Sequence, residues 1–458
     1  MADNDAPPLE APPGAWGVVL GSFIAHVFAL GLMYSFGVLM PALIKEFSAS
    51  TATVAAIGSL GAGLFSLVAP LVAPLLRKHS VRRIVSSGAA LAFVSLMVSS
   101  FAESIWVVMV FYGGCLGLSY ELMWLPSMTY VPRWFAGTKN MALAQGVAVA
   151  GAGVGQSGIS LLVASLCVLS SVLFSSLLTS WLTSTRRIDA YDWRVSLRVL
   201  AVALICFMAV AVYVFKPLPA SAAASRPTPE NINSLLWGTP VMKTLLPVYV
   251  LCGVGFFTPF HHLVKYAQDD AGNDGGELSE AQAAGMMVAL GIANSVGRVL
   301  SGKLADKYGV LNVFPCFMCT AGALVAAMTL FKGVTALYAF AIGFGLTAGA
   351  FISLFAPLIL TMLGPVALTD GISMCQTAFG AGGLIGSPIA GLLYDHFGNY
   401  SVASVLAGIC FILTGLLNYY VATSKSCIES PGHLALLEAS KPVKEETASA
   451  ELEETAKP

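Results

Sequence analysis

The sequence predicts an all-α membrane protein with about twelve transmembrane helices in two six-helix lobes. Of the 458 residues, 57% are hydrophobic and only 10% are Asp, Glu, Lys or Arg, whereas soluble domains carry about 25% charged residues. The mean hydropathy is +0.80. Apolar segments long enough to cross a hydrocarbon core of about 30 Å recur along the chain. So few charges cannot cover a water-soluble surface, which excludes an ordinary cytosolic enzyme.

Each apolar segment is predicted to be a helix, because lipid offers no partner to an unpaired backbone group and the segments are too long for barrel strands. The predicted helices lie near residues 16–40, 54–76, 82–101, 105–131, 141–165, 195–215, 241–264, 281–301, 311–331, 334–362, 371–393 and 401–422. The predicted organisation is a disordered cytosolic N-terminus (1–13), a first lobe (14–216), a cytosolic linker (217–240), a second lobe (241–423) and a disordered cytosolic tail (424–458).

Lys and Arg in short loops predict the orientation. The basic residues after the second, fourth and eighth predicted helices all fall on one side of the membrane if the N-terminus is inside, and they are Arg77, Lys78, Arg82, Arg83, Arg133, Lys139, Lys303 and Lys307. Both termini are therefore predicted to be cytosolic.

The region 140–185 does not fit this pattern, because it stays apolar or rich in Ser and Thr for too long to be one crossing. Two helices here would invert everything downstream. One helix followed by a segment near Val163–Thr185 that lies in the interface or extends the helix would not. The basic residues 303–307 fit only the second interpretation, which we adopt; a third alternative is an error in the gene model.

Charged side chains inside the membrane indicate function, since each costs about 3 kcal/mol or more unless it faces a cavity or a partner. Arg298 lies well inside the eighth predicted helix, with Asn294 one turn before it on the same face, and both are predicted to contact a bound solute. A guanidinium fork matches a carboxylate, so Arg298 is predicted to bind an organic anion. The alternative is a purely structural pair between Arg298 and Glu121.

Other ionisable side chains well inside the predicted helices include His26, Glu121, His261 and His262. Glu121 in a poorly hydrated site could carry a proton, or it could form a local hydrogen bond and never titrate. His261 and His262 are adjacent and point about 100° apart, so at most one of them contacts a solute. No cofactor or metal is predicted, because Cys316 and Cys319 lack a second ligand pair.

Four segments resemble a known family. The sequence L-A-Q-G-V-A-V-A-G-A-G-V-G (Leu143–Gly155) is similar to the core of the monocarboxylate transporter signature, and G-K-L-A-D-K-Y-G (Gly302–Gly309) resembles the cytosolic loop motif of the major facilitator superfamily. The segment Ser387–Asp395 resembles the usual end of the eleventh helix in that superfamily. The segment Pro13–Val18 resembles half of another signature of the monocarboxylate transporter family.

The resemblance implies a major facilitator fold that works by alternating access, in the plasma membrane. It implies a small organic anion or amino acid as solute and, for some members, an accessory single-span glycoprotein. Arg298 matches the family's substrate-binding Arg, and Tyr34 matches a cavity-lining Tyr. His262 matches a His of the aromatic amino-acid and thyroid-hormone branch. Asp306 in the loop motif is expected to lock the lobes together; the alternative is a solvated loop acid.

Two departures weaken the proton-coupled mechanism that the resemblance implies. Proton-coupled members have a Lys where this chain has Val38 and an Asp where it has Asn294. Glu121 could replace them as the proton site, or the protein could be a uniporter; facilitated diffusion is slightly favoured.

The function predicted from the sequence is therefore transport of a small carboxylate-bearing solute, facilitated or proton-linked. The alternatives are an aromatic amino-acid or other organic-solute uniporter and, as another class, a non-transporting nutrient receptor on a carrier fold. An organelle membrane is the alternative location. The formal net charge of -1 gives no basic field for nucleic acid.

Overall fold

The computed structural model describes residues 10–178, 193–218, 232–269 and 280–439, with helical secondary structure throughout. The helices are α1 (Ala15–Phe47), α2 (Thr51–Leu67), α3 (Ala69–Lys78), α4 (Val81–Ser100), α5 (Ile105–Trp134, with a π-helical segment at Met109–Cys115), α6 (Met141–Leu178), α7 (Trp193–Val214), α8 (Ile232–Gly238), α9 (Pro240–Asp269), α10 (Glu280–Tyr308), α11 (Val310–Ala326), α12 (Val334–Phe397), α13 (Ser401–Thr423), α14 (Lys425–Ile428) and α15 (Pro431–Ala439).

The described residues form twelve helical passes, six in each half of the chain. Helices α2 and α3 make one pass that is bent by 48°. Helix α12 makes two passes, because Gly364 has a φ of 78° and precedes Pro365, which breaks the helical hydrogen bonding. By length and composition, seven of the described helices could cross a membrane, or eight if the bent pair is one span. The predicted fold class of an all-α bundle of two six-helix lobes is confirmed.

The end of α5, the start of α4 and the end of α7 lie together at one face of the bundle. We call it the linker face, because the connection between the two halves begins there after α7. There Tyr130 Oη at the end of α5 donates to the Lys216 carbonyl over 2.7 Å, and Arg82 Nη2 at the start of α4 donates to the Tyr213 carbonyl over 3.2 Å. The predicted basic residues Arg77, Arg82 and Arg133 thus lie at one face, as the charge pattern requires.

Helix α7 begins at the opposite face. Arg194 Nη1 pairs with Glu46 Oε1 at the end of α1 over 2.6 Å, and Arg198 Nε donates to Ser100 Oγ at the end of α4 over 3.1 Å. Helix α6 is therefore a single pass that continues to Leu178, and the second half is not inverted. Its 38 residues span about 57 Å, well beyond the hydrocarbon core. The rest of the predicted insertion, from residue 179, lies outside the described residues.

Three segments differ from their predicted structure. The predicted disordered tail forms α14 and α15 between residues 425 and 439, where His433 and Leu436 are buried. The predicted linker forms α8 at Ile232–Gly238. The predicted loop motif around Asp306 lies in the last turns of α10. Helices this short depend on packing against neighbours rather than on intrinsic propensity, and they are too short to give a membrane-spanning hydropathy signal.

Helix α6 packs tightly against both halves through its glycines. An added Cβ at Gly151 would lie 2.2 Å from the Phe23 carbonyl oxygen of α1, and one at Gly146 would lie 2.4 Å from the Arg298 carbonyl oxygen of α10. Because glycine has no side chain, the helix backbones can approach this closely. This contact brings the backbone of the first half against the residue that the sequence marks as the anion site.

Candidate functional site

Arg298 is buried where α10 meets α6 of the other half. The residue is 3% exposed. Its Nε donates to Asn294 Oδ1 over 2.9 Å, and its Nη1 donates to the Val149 carbonyl over 2.6 Å. Two of the three guanidinium nitrogens are thus held by groups on both sides of the lobe boundary. Among the described residues, the third nitrogen, Nη2, has no hydrogen-bond acceptor.

The positive charge of Arg298 has no acidic partner within the described part of the chain. The ion pairs found there are Arg77 with Asp370 and Arg194 with Glu46. The alternative of a structural Arg298–Glu121 pair is therefore wrong in this conformation, because Glu121 bonds to Gln376 instead. A buried cation without a counter-ion is costly, so a bound anion would stabilise it.

Asn294 positions Arg298. Its Oδ1 accepts from Arg298, and its Nδ2 lies 3.4 Å from the Gly345 carbonyl of α12 as a long hydrogen bond. Both ends of the amide are therefore occupied by protein groups. The predicted substrate contact by Asn294 thus becomes, in this conformation, support of the guanidinium.

Helix α1 contributes His26 and Tyr34, and both lie within electrostatic range of Arg298. His26 Nδ1 is 2.7 Å from the Ser22 carbonyl. A carbonyl only accepts, so Nδ1 carries the hydrogen, and neutral His26 presents Nε2 as an acceptor. That Nε2 is buried without a partner in the described structure. Tyr34 is only partly buried.

Trp124 of α5 lies beside His26. Its ring centroid lies 6.4 Å from that of His26 and 5.4 Å from that of Phe65 on α2. The indole Nε1 is buried and unpartnered within the described residues. The sequence marks His26 as a charge in an apolar helix but does not assign it to the site, and it contains no signal that selects Trp124.

Glu121 lies one turn before Trp124, and its side chain forms a hydrogen bond to the other half of the protein. Gln376 Nε2 of α12 donates to Glu121 Oε2 over 2.8 Å. Both side chains are buried, and Glu121 is 0% exposed. The structure thus places the predicted proton-coupling candidate at an inter-lobe contact.

His262 lies elsewhere. Its Nδ1 is 3.2 Å from Tyr400 Oη, next to the start of α13 at the opposite face. The structure groups Tyr34, Asn294 and Arg298, and it places His262 in a separate aromatic contact of the second half. A substrate role for His262 stays a prediction.

The linker face holds the two halves together through polar contacts. Arg77 of α3 pairs with Asp370 of α12, and Arg133 Nη2 donates to Thr369 Oγ1 over 2.7 Å. Asp306 of α10 accepts from the backbone N–H groups of Ala142 and Leu143, at 2.8 and 2.7 Å. A carboxylate at a helix N-terminus satisfies free N–H groups and interacts favourably with the helix dipole. These contacts close the linker face in this conformation.

Replacing Asp306 by Ala is expected to loosen the first turn of α6. The change removes two charge-assisted hydrogen bonds worth about 1–2 kcal/mol together. Amide exchange at residues 141–145, followed by mass spectrometry, should therefore be about 5- to 30-fold faster. Asp395→Ala, at an exposed site near the opposite face, is the matched control and should leave exchange unchanged. Equal exchange in both variants would show that Asp306 is a solvated acid.

Comparisons with known proteins agree with this architecture. The sequence model of the family described as Major Facilitator Superfamily matches residues 22–312 and 275–432. The chain is 29% identical to monocarboxylate transporter 13 of Rattus norvegicus over 89% of both chains. It is 26% identical to monocarboxylate transporter 10 of the same species, over 89% of this chain and 78% of that protein.

A solved structure shares the fold. The crystal structure of a Major Facilitator Superfamily transporter, FucP, in the outward conformation aligns with a TM-score of 0.65 and 16% identity, over 88% of this chain and 98% of that chain. The resemblance predicted from the motifs is thus confirmed over nearly all of the passes. The family match over most of the chain shows that it belongs to the Major Facilitator Superfamily and is a multi-pass membrane transporter, not an enzyme.

Proposed function

We propose that the protein carries a small carboxylate-bearing organic solute across the plasma membrane by alternating access, with Arg298 binding the carboxylate and both termini in the cytosol. The observation that supports this most is the buried Arg298 guanidinium without an acidic partner in the described residues. Its hydrogen bonds to Asn294 and Val149 leave the third nitrogen, Nη2, for a ligand.

The chemistry of the site favours a carboxylate. Asn294 and the Val149 carbonyl fix the plane of the guanidinium by holding Nε and Nη1. Nη2 can then donate to an anion from a fixed direction, which lowers the entropic cost of binding. Because the site is buried, the attraction between the two charges is screened less than in water.

The position of the site suits alternating access. Arg298 belongs to the second half, and its partner Val149 belongs to the first. A solute bound here would touch both halves, so that their relative movement exposes it first on one side and then on the other. The polar contacts that close the linker face are the ones that must break for release on that side.

An aromatic amino acid is the second candidate solute. The rings of Phe65, Trp124 and His26 follow one another across the same region. The unpartnered His26 Nε2 accepts a hydrogen bond, which an ammonium group could donate. A ring on the solute would pack against Trp124 and Phe65.

Reconstitution of the purified chain in liposomes tests both candidates and needs no accessory glycoprotein for surface delivery. We expect uptake of radiolabelled short monocarboxylates, and much weaker uptake of the corresponding neutral amides, because an amide has no charge to offset that of Arg298. Aromatic amino acids and their amides form the second matched set. Equal uptake of acids and amides in both sets would contradict the proposal.

A further inference from the structure

The pair formed by Glu121 and Gln376 lacks one hydrogen atom. Gln376 Nε2 donates to Glu121 Oε2, but Glu121 Oε1 and Gln376 Oε1 are buried without a hydrogen-bond partner in the described structure. Each of the two side chains therefore has one acceptor oxygen that receives no hydrogen bond. A buried acceptor without a donor costs about 1–3 kcal/mol, so an ionised pair leaves two such costs in place.

A single proton on Glu121 would remove the cost of both unpartnered oxygens. A protonated carboxyl has an O–H donor beside its acceptor oxygen. Glu121 Oε1–H can then donate to Gln376 Oε1 while Gln376 Nε2 continues to donate to Glu121 Oε2. The acid and the amide would form a cyclic pair with two hydrogen bonds and no net charge.

No cation among the described residues pairs with Glu121 to neutralise its charge in place of a proton. The titratable groups on the elements around the pair include His26 and Tyr34 on α1, Arg77 on α3, Arg82 on α4, Tyr112, Cys115, Tyr120 and Arg133 on α5 itself, Arg298 on α10, and Asp370 and Cys375 on α12. Among the described residues, none of them forms a hydrogen bond or an ion pair with the Glu121 carboxylate, whose one hydrogen-bond partner is Gln376. An ionised Glu121 would be a buried, uncompensated charge, which is far more costly than a neutral acid.

The pair also links movement of the halves to exposure of the carboxyl. Gln376 Nε2 lies 3.3 Å from the Phe65 carbonyl, and Thr377 Oγ1 donates to the Ser66 carbonyl over 3.1 Å. These contacts join α12 of the second half to α2 of the first, next to Glu121 on α5. Separation of the halves would break them together and admit water to Glu121.

We propose that Glu121 and Gln376 hold one proton between the halves and that the solute is transported together with this proton. The Glu121 carboxylate takes H⁺ from water on one side and becomes the neutral acid; after the halves separate it returns H⁺ to water on the other side, and no other bond forms or breaks. This inference rests on the proposed function, because coupling requires a transported solute.

Proton flux in proteoliposomes tests the inference. With a pH-sensitive dye inside, an inward gradient of a transported carboxylate should acidify the lumen, and uptake should rise as the external solution is acidified, by up to about tenfold per pH unit. In Glu121→Gln, two amides can form the same cyclic pair without a proton. We expect this variant to keep its unfolding temperature and to lose both the proton flux and the pH dependence of uptake.

Three further variants test whether the proton resides on Glu121. Glu103→Gln, which removes an exposed acid, should keep proton flux. If His26→Gln loses the pH dependence while Glu121→Gln retains it, the proton site is His26 and the inference is wrong. Glu121→Leu should lower the unfolding temperature, because it leaves the buried Gln376 amide with only its long 3.3 Å contact to the Phe65 carbonyl.

Solute counterflow at equal pH on both sides distinguishes this inference from the proposed function. Counterflow in the wild type without any proton flux would overturn the proton site alone. If no carboxylate shows counterflow, the proposed function fails and the proton site fails with it.

Discussion

Arg298→Ala is expected to reduce carboxylate uptake at least about 30-fold, with the protein still folded. The variant removes the only described cation at the site that is buried without an acidic partner. Loss of one partner of a buried charge pair costs about 2–5 kcal/mol, which is about 30- to 5000-fold in affinity. Initial uptake rates in proteoliposomes, at equal protein content, measure the effect.

Two control variants separate binding from folding. Arg298→Lys keeps the charge but loses the planar fork that Asn294 and the Val149 carbonyl hold, so we expect an intermediate rate. Arg83→Ala removes an exposed arginine at the start of α4 and should transport normally. Wild-type uptake by Arg298→Ala would refute the assignment of Arg298 as the carboxylate site.

Gly151→Val is expected to prevent normal assembly of the bundle. The Cβ would lie 2.2 Å from the Phe23 carbonyl oxygen, which is backbone and cannot rotate away. Helices α1 and α6 would have to separate along their contact, at a cost of about 3 kcal/mol or more. Size-exclusion profiles and the unfolding temperature in detergent should both show the loss.

Gly158 provides a matched control on the same helix. A Cβ there meets no atom within 4 Å, and the residue is exposed. Gly158→Val changes the same residue type by the same amount, so helix propensity is matched and only the contact differs. Similar unfolding temperatures for the two variants would show that the α1–α6 contact does not limit stability.

Most of the fold could be predicted from the sequence because a bilayer leaves few choices. An apolar segment in lipid must be helical, and basic residues in short loops give the side. The predicted helices near 82–101 and 401–422 correspond closely to α4 and α13. Hydropathy could not decide between one and two helices in the region 140–185. That choice was settled by where α7 begins, through the contacts of Arg194 and Arg198 at the opposite face.

The candidate site was predictable only in part. Arg298 and Glu121 stand out as charges within apolar segments, and Tyr34 entered through the family resemblance. The resemblance also drew attention to His262, which the structure places against Tyr400 instead. Trp124 is one apolar aromatic residue among many, and its unpartnered Nε1 becomes visible only when its neighbours are known.

The sequence by itself determined that this protein is a helical membrane bundle with charged residues inside apolar helices. Local hydropathy and charge are enough for this, because they decide which segments are stable in lipid. The tertiary structure decided which groups those charges meet. Glu121 and Gln376 are 255 residues apart in the chain, and Arg298 is 149 residues from Val149. The partner of a buried polar group is fixed by how the two halves pack, and that packing depends on long-range contacts that no local pattern contains.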